Sequence, residues 1–431
     1  MNDTSQQLSG IHPIRIRLMH KAIFLAALAV ACGPPGPSAD VLAQYAGTTV
    51  GDLFGEHLAP AGDLDGDGRS DWLAGGRQLL TQSAQPGYVQ ALSGAGGAPL
   101  HTFHGDSGND SFGAALASLE DVDGDGVREI AVGAPHADTG HPDAGSVHLF
   151  SGRTGSPLWT VHGERGGDGL GGALAPLGDI DQDGIPDLAA GALQPAMSPD
   201  RDAGPGYVVA LSGATGEQLF LSRGDNQTRD FGRQLAPLGD LDGDGLPDLA
   251  VSAPASQAVL YVSGRTGSIL HRIEDLGAGF GETLAATPDM NGDAWPDLLV
   301  GAPLDSHEAP LAGAIHVLNG FDGNTLFVLR GAHRGERLGG SLAALGDLDS
   351  DGIPEIAAAQ AGGGTLRILS GADGRELMRL EPTPDQHDFG AGLASTGRAR
   401  GQQPPLLAVG FPGIGPKANS SGGLLVMALQ K

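Results

Sequence analysis

From residue 41 onward the apolar positions fall in short runs separated by Gly, Pro and Asp, and no stretch keeps a helical period for a useful length. "DLAVSAP" (248–254) and "AVLYVSGRTG" (258–267) are typical, and a polar–apolar segment, "SILHRI" (268–273), follows them. Such runs predict β-strands joined by tight turns. They also recur in a fixed order. Phe-Gly or Leu-Gly stands at Phe54, Phe112, Leu170, Phe231, Phe280, Leu338 and Phe389, at intervals of 58, 58, 61, 49, 58 and 51 residues. A short apolar stretch follows each pair, then (in six of the seven units) an acidic loop, then further strand-like runs. Four strands in each of seven units predict an all-β fold, a seven-bladed β-propeller of four-stranded antiparallel blades spanning residues 41–431.

The last unit bears on how the ring closes. It passes through "LLAVGFP" (406–412) and "GGLLVMALQK" (422–431) and supplies no fourth strand of its own. The segment "VLAQYAGTTVGDLFG" (41–55) resembles what precedes each later Phe-Gly, so the amino-terminal strand is expected to complete the last blade. An open ring would leave sheet edges and an apolar seam exposed.

The acidic loops change the meaning of the composition. The chain has 51 acidic and 24 basic residues, a net charge of −27. Six near-copies of "GDLDGDGLPD" (239–248) account for most of that imbalance, so the remainder is close to neutral and no basic nucleic-acid footprint exists. Each loop places an acid at positions 1, 3 and 5, glycine at 6 and an acid at 9. The residues are Asp63, Asp65, Asp67 and Asp71; Asp121, Asp123, Asp125 and Glu129; Asp179, Asp181, Asp183 and Asp187; Asp240, Asp242, Asp244 and Asp248; Asp289, Asn291, Asp293 and Asp297; and Asp347, Asp349, Asp351 and Glu355. Oxygen ligands converging in a tight loop suit Ca²⁺, with the position-7 carbonyl as a further ligand. An EF-hand would end in a glutamate at position 12. Here position 12 is Ala74, Val132, Ala190, Val251, Val300 or Ala358, each inside a strand-like run, so these are calcium loops of β-hairpins. Up to six ions are expected. The fifth loop departs most, with Asn291 at position 3 and Ala294 at the turn position; the seventh unit has "TGRARGQQPP" (396–405) instead of a loop.

Residues 22–31, "AIFLAALAVA", are too short to span a bilayer and suit the apolar region of an export signal over residues 1–32, with Met19 as an alternative start. "AVAC" (29–32) resembles a lipobox, which makes Cys32, the only cysteine, the expected lipidation site and 33–40 a flexible tether. The chain is therefore expected to be exported and lipid-anchored at the cell surface or in the periplasm, or else secreted, with no other membrane contact. One cysteine allows no intrachain disulfide, which leaves calcium as the expected staple.

"FG", then "DxDxDGxxD", then "GAP" (Gly133–Pro135 and Gly301–Pro303, with looser forms at 191–193, 252–254 and 410–412) resembles the FG-GAP repeat of integrin α-subunit propellers and related bacterial surface proteins. The resemblance covers residues 41–431. It implies a calcium-stabilised propeller used for extracellular recognition; the chain departs from integrins in having calcium-type loops in six units and no inserted ligand-binding domain, leg domains or transmembrane helix, and it is expected to be a monomer. Strand alternation puts the connections after "GAP" and those entering each "FG" on the face opposite the acidic loops. The long connections 136–145, 194–206 and 304–313 make that face the expected binding surface for a protein or glycan. "RGD" at 223–225 enters the same face. A carbohydrate-binding propeller is the alternative reading, and a propeller hydrolase or lyase a weaker one, because the chain holds no recognisable catalytic set. "GDSG" (105–108) lacks its fold and "GDGLGG" (167–172) is a blade entry rather than a dinucleotide loop.

Overall fold

The structure is a computed structural model that describes residues 38–48, 51–77, 86–194, 204–274, 276–360, 363–397, 405–413 and 421–430. The export signal, Met19 and Cys32 lie outside these residues, as does most of the basic loop of the seventh unit.

Among the described residues twenty-eight strands form seven four-stranded antiparallel sheets. The inner strands of blades 1 to 7 are Leu58–Gly62, Ala115–Leu119, Leu170–Gly178, Leu235–Pro237, Thr283–Thr287, Leu338–Ala344 and Leu393–Ser395, and each lies beside the inner strand of the next blade. Blade 2 shows the pattern. Ala115–Leu119 pairs with Glu129–Ala134, which pairs with Ser146–Phe150, which pairs with the outer strand Pro157–His162. The second strand is buried along its whole length in blade 2, whereas the outer strand is mostly exposed. This is why the second run of each unit reads as continuously apolar and the fourth as mixed. Among the described residues the chain forms no α-helix; a single 3₁₀ turn covers Pro254–Ser256.

The two motifs that mark the repeat act on each other across blade boundaries. All seven aromatic or leucine residues of the Phe-Gly pairs are at most 2% exposed, and the glycines that follow them have φ between +86° and +93°. That backbone region is open to glycine without a steric penalty. The conformation presses the glycine carbonyl against the "GAP" glycine of the preceding blade. A β-carbon on Gly133 would stand 2.0 Å from the Gly171 oxygen, and one on Gly410 would stand 1.8 Å from the Gly55 oxygen. No larger residue fits there without moving one blade off its neighbour.

The ring closes as the sequence predicts. Blade 7 runs Leu393–Ser395, Leu406–Gly410, Gly423–Gln430 and, outermost, Ser38–Ala46 from the amino-terminal side. That strand pairs from Ser38 opposite Gln430 to Ala46 opposite Gly423. Ser38, Ala39 and Asp40, expected in the tether, are therefore strand. Buried Tyr45 donates its hydroxyl hydrogen to the Ser93 carbonyl of blade 1, so the strand bridges both sides of the seam.

Candidate metal centres

Each acidic loop joins the inner strand of its blade to the second strand. Every loop has two demands for left-handed backbone, two residues apart. Position 6 is left-handed in all six, at φ +81° for Gly68, +85° for Gly126 and +88° for Gly245; Ala294 adopts +76° without the freedom of glycine. Position 4 is left-handed as well, in Gly66, Gly124, Gly243 and Gly292 but also in Gln182 (φ +66°) and Ser350 (φ +68°). The sequence carried this second signal as a glycine in four of six loops.

The tight bend turns main-chain N–H groups toward the first aspartate. Asp63 Oδ1 accepts from Gly66 at 2.7 Å and Asp67 at 3.0 Å, and its Oδ2 accepts from Gly68 at 2.8 Å. Asp240 repeats the arrangement with Gly243, Asp244 and Gly245. These bonds fix the first carboxylate and gather the others around it. Candidate ligand atoms lie within 4.8 Å of one another in five clusters: Asp63, Asp65 and Asp71; Asp121, Asp123, Asp125 and Glu129; Asp179, Asp181 and Asp187; Asp240, Asp242 and Asp248; Asp347, Asp349, Asp351 and Glu355. Asp67, Asp183 and Asp244, at position 5, stand outside their clusters. The two loops ending in glutamate bring all four acids together, because the extra methylene extends position 9 toward position 5. The fifth loop gathers no comparable carboxylate cluster among the described residues. Asn291 replaces one of the acids and donates its amide hydrogen to Asp293 Oδ2 at 3.0 Å.

Position 9 has a second task that spacing alone does not reveal. Asp71, Glu129, Asp187, Asp248, Asp297 and Glu355 are all fully buried. The four aspartates are held from both sides. Asp248 Oδ2 accepts from Leu241 at 2.6 Å, and its Oδ1 accepts at 2.8 Å from Gly264, in the turn between the third and outer strands. Asp71, Asp187 and Asp297 do the same with Gly94, Gly213 and Gly320. The aspartate thus ties its loop to the neighbouring turn. Glutamate is too long for this double grip. Glu129 Oε2 accepts from Val122 at 2.8 Å and Glu355 Oε2 from Leu348, while Oε1 of each is buried with no hydrogen-bond partner. A buried carboxylate oxygen without a donor is costly unless a cation meets it, so these two clusters fit a divalent ion.

The electrostatics point the same way. Burial pushes Asp71 and Asp187 up to about 6 and Glu129 and Glu355 up to about 7, against opposing backbone hydrogen bonds, and the other loop acids add to the rise. Asp248 and Asp297 are raised by the same cause. The sites as built favour either protons or a cation. In the RGD tripeptide, Arg223 ends the outer strand of blade 3 and lies over the Tyr207 ring, and Asp225 Oδ1 accepts from the Gln227 N–H at 2.8 Å. Of the three long connections, 136–145 and 304–313 are described, and 195–203 lies outside the described residues.

A closed ring of seven four-stranded blades with acidic hairpin loops on one face defines the class of protein. Comparison with known proteins then gives its kind. The FG-GAP repeat family matches residues 112–150, 231–269 and 280–318. Integrin alpha-IIb of Mus musculus is 33% identical over 230 residues, 49% of this chain and 21% of that protein; integrin alpha-V of Gallus gallus is 30% identical over 257 residues, 52% and 24% respectively. The chain thus spans about a quarter or less of the length of these relatives. A solved structure of Saccharomyces cerevisiae Sqt1 shares the fold with a TM-score of 0.51 at 12% identity, over 91% of this chain and all of that one. The protein is a seven-bladed β-propeller that carries FG-GAP repeats and is similar to the integrin α subunits.

Proposed function

We propose that the chain is a calcium-binding, non-catalytic recognition module, exported and held at the cell surface or in the periplasm through Cys32, or secreted. The observation that carries the calcium reading is the buried, unpartnered Oε1 of Glu129 and of Glu355, each within a four-carboxylate cluster. The residues that would hold the ions are the five clusters, with the fifth loop supplying Asp289, Asn291, Asp293 and Asp297 as a sixth, less complete set. When bound, Ca²⁺ supplies counter-charge and cross-links the loop; the protein supplies oxygen ligands and a bent backbone. The ions act as staples and leave the opposite face, with its long connections, to bind a protein partner on a rigid scaffold. One observation favours a carbohydrate instead. Phe321 is 45% exposed and lies against Trp295 beside the fifth loop, with ring centroids 5.2 Å apart, an aromatic surface on which a sugar could stack. Binding to a glycan array that is lost in Phe321→Ala would favour that second reading.

The pair Glu129→Gln and Glu355→Gln tests the calcium reading by sign. Each replacement removes a buried charge from the metal-free chain and a ligand from the loaded one. Thermal unfolding should therefore rise by about 2 °C per substitution in chelator and fall by a similar amount in millimolar calcium. Shifts of the same sign in both conditions would mean that neither carboxylate meets an ion.

A further inference from the structure

Three of the six acidic loops face a guanidinium from the turn between the third and outer strands of their own blade. In blade 2, Arg153 Nη2 donates to the Asp125 carbonyl at 2.7 Å, and its Nε lies 3.3 Å from Asp125 Oδ2. In blade 4, Arg265 donates from Nε to Asp244 Oδ2 at 2.8 Å and from Nη2 to the Asp244 carbonyl at 2.9 Å. In blade 6, Arg375 Nη2 donates to Asp349 Oδ2 at 2.7 Å, and Asp349 is itself a cluster member. Blade 5 uses a neutral group: Asn319 Nδ2 donates to Asp293 Oδ2 at 2.6 Å. Blades 1 and 3 carry Ala95 and Ala214 where blades 2 and 4 carry arginine, and no ion pair reaches their loops among the described residues.

We infer that these arginines are resident counter-ions that divide the loops into two affinity classes, blades 1 and 3 binding Ca²⁺ tightly and blades 2, 4 and 6 more weakly. The inference rests on the calcium reading above. Two of the arginine loops are also the ones whose buried Oε1 lacks a donor, so the guanidinium lowers the charge of the loop without satisfying the atom that asks for a cation. Arginine stays protonated across the accessible pH range, so its positive charge is a permanent subtraction from the ligand charge that sets calcium affinity in such loops. In blades 2 and 6 the arginine grips a member of the carboxylate cluster itself, Asp125 and Asp349, while in blade 4 it holds Asp244, which stands outside its cluster. Blades 2 and 6 are therefore weaker than blade 4. All three guanidinium groups are about half exposed, at 54%, 46% and 60%. Water screens them, and the effect on each loop is about fivefold in Kd rather than several hundredfold.

Calorimetric titration of the chelated full chain with calcium chloride tests this. The wild type should fill two tight sites and then a weaker set. Arg265→Ala should move one ion into the tight class, with about a fivefold fall in its Kd. Removing Arg153, Arg265 and Arg375 together should collapse the binding curve toward one class. The reciprocal change Ala214→Arg, which gives blade 3 the Ser-Gly-Arg-Thr-Gly turn of blades 2 and 4, should move one ion out of the tight class. Equal sites in the wild type, or an Arg265→Ala variant that binds calcium no better than the wild type, would overturn the inference while leaving calcium binding itself in place. A wild type that binds no calcium would overturn both.

Discussion

Stripped of divalent ions, the propeller should melt at a higher temperature at pH 6.5 than at pH 8. The reason is the six position-9 acids. Burial raises their folded pKa above the unfolded value, to about 6 for Asp71 and Asp187 and about 7 for Glu129 and Glu355. The folded chain then binds protons more tightly than the unfolded one. Stability from these groups is fully present below the unfolded pKa and is lost as pH rises through the folded values. Below pH 6.5 the gain levels off, because half-buried His148 and buried His316, held down to about 4 by desolvation, work in the opposite sense: their contribution is present above the unfolded value and lost as pH falls. With calcium bound, protons compete with the ion, and the slope between pH 8 and 6.5 should reverse. At pH 8, saturating five sites to ten times Kd adds roughly 7 kcal/mol if they are independent, a rise of about 8 °C for a chain of this size. Scanning calorimetry at both pH values, with chelator and with calcium, reads both signs. A metal-free melt that falls between pH 8 and 6.5 would show that these carboxylates are not buried as charges.

The second large effect lies at the seam. A chain beginning at Gly47 lacks the strand Ser38–Ala46 and so leaves Gly423–Gln430 as an open edge beside blade 1. It also loses the buried Tyr45 side chain and its bond to Ser93. One strand ladder and one buried aromatic together contribute roughly 5 kcal/mol or more, and an exposed apolar edge invites association with other chains. The shortened protein should melt at least 5 °C lower and elute from a sizing column as aggregates. Adding the Ser38–Ala46 peptide should restore part of the loss. A shortened chain that remains monomeric with an unchanged melt would contradict closure by this strand.

What the sequence made legible was local and repeated. Phe-Gly spacing counted the blades, short apolar runs counted the strands, and the missing fourth strand of the last unit located the closing one. The carboxylates that cluster were legible because a hairpin loop brings them together through the nearby chain alone; that Asp67, Asp183, Asp244 and the fifth loop stand apart was not. What stayed hidden depends on contacts distant in sequence. Nothing in the spacing shows that Gly133 meets Gly171, or Gly410 meets Gly55, though those approaches are why glycine stands at these four positions. Asp248 reads as one more ligand until Gly264, sixteen residues on, is seen donating to its other oxygen. The same holds for Arg265 on Asp244. Ser38–Asp40 looked like tether because their pairing partner lies at the far end of the chain.

The most direct test of the account is a count of bound ions. The full chain, dialysed against micromolar calcium and then analysed for metal content, should retain five to six calcium ions per molecule, and melting should fall when chelator removes them. No retained calcium, with a melt indifferent to chelator, would contradict the account, since the six acidic loops would then be folding without the ions their shape and buried charge call for.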